Sequence, residues 1–228
     1  MLIKWEDLPE NMKTNEVLYY YRILKKKQKS LIIKRIFDII CSGMLIIILF
    51  PIFLILSLAI KLDSKGEIIF KQKRVTKCGK IFNIYKFRSM IHNAEKFGAQ
   101  VTKRNDNRIT RVGKVIRKFR LDEIPQLFNI FTGDLSFVGV RPEVPKYVEK
   151  YTNEMMATLL LPAGVTSITS IAFKNEEEIL NKFDDTEKAY IDVVLPRKMV
   201  TNLQYIKDFN FFYDLKIMFM TLIAVIKR

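Results

Sequence analysis

The sequence predicts a helix-rich α+β protein. A re-entrant, helix-break-helix membrane segment precedes a compact domain with a β-hairpin and amphipathic interfacial helices. Three observations predict this class: a run of 22 uncharged residues, two β-rich runs around a short turn, and helical spacing of apolar residues elsewhere. We divide the chain into a basic N-terminal extension (1–33), a membrane helix broken at Pro51 (34–60) and a compact domain (61–228).

Composition limits the classes of protein that fit. Of the 228 residues, 49% are apolar, which excludes a disordered or low-complexity chain. Two cysteines and one histidine are too few for a disulfide scaffold or a Cys/His zinc site. Lysine and arginine number 39 against 24 acidic residues, which gives a net charge of +15 and predicts anionic partners.

The uncharged run at 39–60 is the membrane segment. Ile, Leu and Phe make up 15 of its 22 residues. On an insertion scale these contribute about −5 to −9 kcal/mol, so the segment enters a bilayer. At about 1.5 Å per residue it is also long enough to span one.

Flanking charge bears on how the segment enters. Residues 22–35, which include Lys34 and Arg35, hold seven basic side chains, and residues 61–80 hold seven more. A spanning helix shows a basic bias on its cytoplasmic side only. Equal flanks, together with Pro51 near the middle, favour a helix that breaks and returns to its starting side. A kinked spanning helix is the alternative.

Local patterns predict the elements that come next. The β-rich runs Glu67–Val75 and Ile81–Phe87 flank a turn with Gly79 and predict the hairpin. Ser89–Phe97 predicts a helix, which Gly98 ends because glycine tolerates a left-handed backbone.

Further helices follow the hairpin region. Arg108–Phe119 has apolar residues on one face and basic residues elsewhere, and Ile124–Phe131 has a second apolar stripe that Gly133 ends. Glu143–Leu161 is predicted to be helical. Phe211–Ile226 is too short in its uncharged part to span a membrane and predicts a core or membrane-surface helix.

Chemistry centres on Asp122 and Glu123, which lie between a basic helix and an apolar one. No phosphate-binding glycine loop, metalloprotease motif or serine elbow is present. A carboxylate near a helix start, with Arg117 upstream, should stay ionised as a nucleophile or a hard-metal ligand. A plain helix-capping Asp followed by a first-turn Glu is the alternative.

Two further arginines suit an anionic ligand. Arg141 follows an apolar run and precedes Pro142, and Arg88 ends the second hairpin strand. A guanidinium held by a restricted backbone can bind phosphate with two parallel hydrogen bonds. Together with the carboxylate pair and the membrane segment, these residues predict an anionic substrate at a bilayer surface.

Several motifs resemble the bacterial sugar transferases, the small monotopic polyprenyl-phosphate sugar-1-phosphate transferases. They occur in that family's order and spacing over about residues 34–228. The motifs are KRIFD (34–38), IYKFRSM (84–90), LDEIPQLFN (121–129), GDLSFVGVRP (133–142) and FYDLKIM (212–218).

The resemblance implies transfer of sugar 1-phosphate from a nucleotide-sugar, usually a UDP-sugar, to a polyprenyl phosphate such as undecaprenyl phosphate. The family's Asp-Glu pair falls on Asp122, the implied nucleophile and Mg²⁺ ligand, and on Glu123, which would support it. Arg88, Arg117 and Arg141 are the implied phosphate and nucleotide-sugar ligands. The compact domain would be catalytic and lie on the cytoplasmic face of the bacterial inner membrane.

The family's usual Pro-Arg-Pro reads Val140-Arg141-Pro142 here, and residues 164–174 replace its frequent Gly-Ile-Thr-Gly segment. Expected partners are the two substrates, the inner leaflet, a second copy of the chain as a homodimer, and downstream glycosyltransferases of a cell-surface glycan. Nucleic acid is not expected as a partner. Two alternatives without enzyme activity are a nucleic-acid-binding protein and a basic peripheral membrane anchor.

Overall fold

The computed structural model describes residues 2–91, 94, 106–173, 176–180, 182–183 and 185–226. The strands are β1 (Ile69–Val75), β2 (Ile81–Phe87), β3 (Leu135–Val138) and β4 (Ala163–Thr166). The helices are α1 (Asn15–Lys26), α2 (Gln28–Asp63), α3 (Arg111–Lys118), α4 (Gln126–Thr132), α5 (Pro145–Val148), α6 (Ile168–Ala172), α7 (Glu176–Leu180), α8 (Thr186–Ala189), α9 (Leu195–Asp208) and α10 (Phe211–Ile226). A π-helix (Tyr190–Val194) joins α8 to α9.

The hairpin and several helices are confirmed. β1 pairs antiparallel with β2, and α3, α4 and α10 lie where helical spacing placed them. The continuous helix predicted at Glu143–Leu161 is wrong. It is replaced by α5, which ends at Val148, and by a 3₁₀ helix at Met155–Leu160, whose first N–H donates to the Thr152 hydroxyl. Most of the helix predicted at Ser89–Phe97, and its Gly98 end, lies outside the described residues.

Residues 2–33 are part of the largest core cluster. The apolar face of α1, with Tyr20 and Leu24, is buried against α9 and the 3₁₀ helix at Met155–Leu160. The Tyr20 hydroxyl also donates to Glu154 Oε1 at 2.6 Å. The region predicted as a basic extension is therefore packed tightly on the domain.

The membrane segment is one helix, α2, and it runs from Gln28 through Pro51 to Asp63. The prediction that the helix is interrupted at Pro51 is wrong, because α2 continues through this residue. Proline removes the one hydrogen bond to the carbonyl of Ile47, while the bonds on either side continue the helix. Among the described residues, α2 is long and apolar enough to cross a membrane.

Both ends of α2 are fastened to the same domain. At its beginning, the Arg35 guanidinium donates to the carbonyls of Ile130 and Phe131 in α4, at 2.7 and 2.8 Å. At its end, Asp63 Oδ2 accepts from the Val112 N–H of α3 at 2.9 Å. The short connection between α3 and α4 is thus held between the two ends of the membrane helix.

A second, parallel pair of strands places the loop that carries Arg141. β3 pairs with β4, and Gly139 lies directly against Gly164, where a Cβ on either residue would clash with backbone. This close approach fixes where the chain leaves β3 toward Arg141. Apolar side chains on or beside α3, α4 and α10 are exposed: Val115, Phe119, Phe128, Phe131, Phe212, Phe219 and Leu222.

Candidate active site

The carboxylate pair lies in a 3₁₀ turn, Leu121–Glu123, between α3 and α4. Arg120 enters this turn with a φ of 58°, a left-handed backbone that reverses the chain direction after α3. The helix-capping alternative for Asp122 is wrong, since α4 begins at Gln126 and has Pro125 at its cap position. The chain therefore positions both carboxylates without using them as caps.

Asp122 is only 9% exposed, and among the described residues no donor reaches its buried Oδ1. Burial raises the pKa of this carboxyl, and the charge of Glu123 raises it further. The cations Lys86, Arg117 and Arg120 oppose this shift. Burial thus disfavours the ionised form of Asp122 that the sequence predicts, and the neighbouring cations favour it.

Glu123 has the opposite balance. Its Oε1 lies 3.7 Å from Arg141 Nη2, 3.9 Å from Lys86 Nζ and 4.0 Å from Arg120 Nη1. Burial by itself would raise its pKa, but these three positive charges outweigh burial and keep the pKa below the usual value of a glutamate. Glu123 is thus the permanent negative charge of the pair.

The predicted arginines divide between two places. Arg141 contacts Glu123, and the charge of Arg117 acts on Asp122. Arg88 is instead at the end of α2, where its guanidinium donates to the Ser64 carbonyl at 2.6 Å and to the Glu67 carbonyl. The structure therefore brings two of the three arginines to the carboxylates, and Arg88 joins the membrane helix to the hairpin.

Lys86 was missed by sequence reasoning. It lies on β2 opposite Phe70, on the same face of the hairpin as the buried Ile84, and this face lies against the 3₁₀ turn. Burial lowers the pKa of its ammonium, although Glu123 opposes the shift. The available signal was strand alternation, which places Lys86 on the inner face with Ile84.

A magnesium ion fits this site if it is held jointly by a protein carboxylate and the phosphates of a substrate. The described residues contain no group of three or more His, Cys, Asp or Glu that could hold a metal alone. Mg²⁺ is commonly held by one or two carboxylates together with substrate phosphates and water. The buried, unpartnered Oδ1 of Asp122 is a suitable protein ligand for such an ion.

Fold and site together define a protein with a helix long and apolar enough to cross a membrane and a carboxylate pair among four cations, an arrangement suited to anionic phosphate groups. The sequence model of the family described as bacterial sugar transferase matches residues 29–228. The chain belongs to this family. Membership confirms the resemblance found in the motifs.

Three relatives illustrate the family. The UDP-N-acetylgalactosamine-undecaprenyl-phosphate N-acetylgalactosaminephosphotransferase of Aeromonas hydrophila is 36% identical over 197 residues, 85% of this chain and 44% of the relative. The UDP-glucose:undecaprenyl-phosphate glucose-1-phosphate transferase of Klebsiella pneumoniae is 35% identical over 84% of this chain and 40% of its own length. The undecaprenyl-phosphate galactose phosphotransferase of Salmonella typhimurium is 33% identical over 89% and 42%. The chain spans less than half of each.

Proposed function

We propose that this protein transfers sugar 1-phosphate from a UDP-sugar to undecaprenyl phosphate and releases UMP. The observation that carries the proposal is the buried Asp122 Oδ1, which has no hydrogen-bond partner in the described chain and lies among cations. A buried carboxylate oxygen without a partner costs free energy, and a reacting or metal-bound oxygen explains that cost. The relatives are named for this kind of transfer.

In the first step, a carboxylate oxygen of Asp122 attacks the phosphorus that bears the sugar. The bond between this phosphorus and the bridging oxygen breaks, and UMP leaves with the electron pair. Lys86, Arg117, Arg120 and Arg141 are placed to bind the diphosphate and offset the charge that develops on UMP. Bound Mg²⁺ would supply further neutralisation of the diphosphate, with Asp122 as its protein ligand.

In the second step, a phosphate oxygen of undecaprenyl phosphate attacks the same phosphorus. The acyl-phosphate bond to Asp122 breaks, the carboxylate is regenerated, and the lipid diphosphate sugar is the product. Glu123 keeps its charge throughout and holds the surrounding cations in place. Two successive displacements at one phosphorus predict ping-pong kinetics.

The membrane arrangement is part of the proposal. We infer that α2 is re-entrant and that the domain lies on the cytoplasmic face of the inner membrane. The contacts of Arg35 and Asp63 support this topology, since opposite ends of α2 reach one domain. The lipid product would then start a cell-surface glycan and supply downstream glycosyltransferases.

Release of UMP tests the reaction. Purified protein with undecaprenyl phosphate and Mg²⁺ should release UMP from one member of a panel that includes UDP-N-acetylgalactosamine, UDP-glucose and UDP-galactose. Asp122→Asn should lower turnover by about 10⁶-fold, the size of loss measured when a serine nucleophile is removed from a protease. Asp7→Asn, an exposed residue, is the matched control and should retain full turnover. Retained turnover in Asp122→Asn would rule out Asp122 as the nucleophile.

Topology is tested with single cysteines at the exposed positions Lys29 and Lys65, in a background without Cys41 and Cys78. Both should be protected from an impermeant thiol reagent in intact cells and react after permeabilisation. Labelling of either position from outside would establish the kinked spanning helix instead.

A further inference from the structure

The loop that carries Arg141 is held by the hairpin on one side. The Val75 N–H donates to the Glu143 carbonyl at 2.9 Å, and Arg74 Nη1 donates to the Pro142 carbonyl at 3.3 Å. The same guanidinium donates to Gln72 Oε1 at 2.9 Å, which fixes its direction. The backbone on the C-terminal side of Arg141 is therefore tied to β1.

A buried charged cluster holds this loop on the other side. The Tyr190 hydroxyl donates to Glu143 Oε1 at 2.6 Å, and Lys198 Nζ lies 3.6 Å from the same oxygen. Lys198 also donates to the Tyr190 hydroxyl at 3.1 Å and to Glu176 Oε2 at 3.2 Å. Glu143 and Lys198 are both nearly buried, so they interact with little screening by water.

Two features suggest that this cluster has a role beyond stability. Tyr190 begins the five-residue π-helix that leads into α9, and π-helical turns occur frequently at functional sites. A buried ion pair is also weak evidence for stability, because apolar residues of similar size commonly do as well.

The Arg141 side chain itself is loosely held. It is 43% exposed, its Nη2 is 3.7 Å from Glu123, and its Nη1 makes a long 3.5 Å contact with the Val165 carbonyl. Its guanidinium position therefore depends on where the backbone of residues 140–143 lies. We propose that Lys198, acting through Glu143, is a positioning residue for Arg141 and so sets the affinity for the diphosphate of the donor.

This inference rests on the proposed function, because it assigns donor binding to Arg141. It adds a connection between two parts of the chain. Glu176 follows closely after residues 164–174, which differ from the family pattern, and Lys198 joins Glu176 to Glu143. Through these contacts, the positions of α7 and α9 affect the position of the loop that carries Arg141.

The test compares Lys198→Met with Arg197→Met, the neighbouring exposed cation on α9. Lys198→Met should raise the KM for the UDP-sugar and the Kd for UDP about tenfold, with kcat changed less than about threefold, as expected for lost positioning of a binding group. Arg197→Met should change neither constant. Lys198→Arg, which keeps the charge, should restore most of the affinity.

A double-mutant cycle separates positioning from general destabilisation. In an Arg141→Ala background, Lys198→Met should have no further effect on KM or on UDP binding, because the residue that it positions is gone. Independent, additive effects would overturn the inference, as would an unchanged KM in Lys198→Met. If the wild-type protein binds UDP but releases no UMP from any donor, the proposed reaction fails while the UDP cycle still decides the role of Lys198.

Discussion

Two clusters of charged residues, one around Lys34 and Asp214 and one around Asp122 and Glu123, are built differently. At the first, Lys34 Nζ contacts Asp214 Oδ2 at 2.5 Å and the Val138 carbonyl at 2.7 Å, and the Tyr205 hydroxyl donates to Asp214 Oδ1 at 2.8 Å. At the second, Asp122 Oδ1 has no partner in the described chain, and the cations lie 3.7–4.0 Å from Glu123. The first cluster has short hydrogen bonds between its own groups, and the charges of the second lie farther apart.

This difference in hydrogen bonding indicates a structural role for the first cluster and a ligand-binding role for the second. The short bonds of Lys34 reach Asp214 on α10 and Val138 on β3, so this cluster fastens α2 to both elements. The loose cluster can gain hydrogen bonds when a diphosphate enters between the cations. Loss of a charge should therefore cost stability at the first cluster and activity at the second.

Lys34→Met should have the largest effect on stability. It leaves the Asp214 carboxylate buried without its cation, and breaking such a pair costs about 3–5 kcal/mol. Urea unfolding in detergent micelles measures the change in free energy. Lys80→Met is the matched control, because its pair with Asp134 is exposed and should contribute about 1 kcal/mol or less. Equal losses in the two variants would contradict the assignment of the first cluster as a structural fastening.

Lys86→Met should show the reverse pattern at the second cluster. We expect UMP release to fall by about 10²-fold, as happens when one preorganised charge is removed from a reacting site. Its free energy of unfolding should change much less than that of Lys34→Met, since Lys86 lies a long 3.9 Å from Glu123 and Arg120 and Arg141 remain beside that carboxylate. A variant that unfolds readily but retains full specific activity would show that Lys86 is structural.

Features of the fold and the site that depend on short stretches of sequence could be predicted, and those that depend on contacts between distant residues could not. The hairpin and the Asp122-Glu123 pair follow from short patterns, and both were predicted. Lys34 and Arg35 were predicted only as flanking charges, since their acceptors at Asp214 and Ile130 are far away in the sequence. Strand alternation places Lys86 on the inner face of the hairpin, but its pairing with Glu123 arises only when β2 packs against the 3₁₀ turn. No local pattern reports such distant pairings.

The two neighbouring carboxylates, Asp122 and Glu123, can be compared through the pH dependence of activity and stability, since their pKa values shift in opposite directions. Because the nucleophile must be ionised, kcat/KM should rise with pH through the raised pKa of Asp122, and its acid limb should lie above the usual range of an aspartate. Stability is affected too. Between its unfolded and folded pKa values, Asp122 binds more protons in the folded state, so its contribution to stability falls as pH rises.

Removing each carboxylate should therefore change the pH dependence of stability in opposite directions. Asp122→Asn should become progressively more stable than the wild type as pH rises through the raised pKa of Asp122. Glu123→Gln should do the reverse, because the lowered pKa of Glu123 contributes stability that is present at higher pH and lost as pH falls. Free energies of unfolding measured across a pH series test both, and parallel curves for the two variants would contradict the opposite environments of the pair.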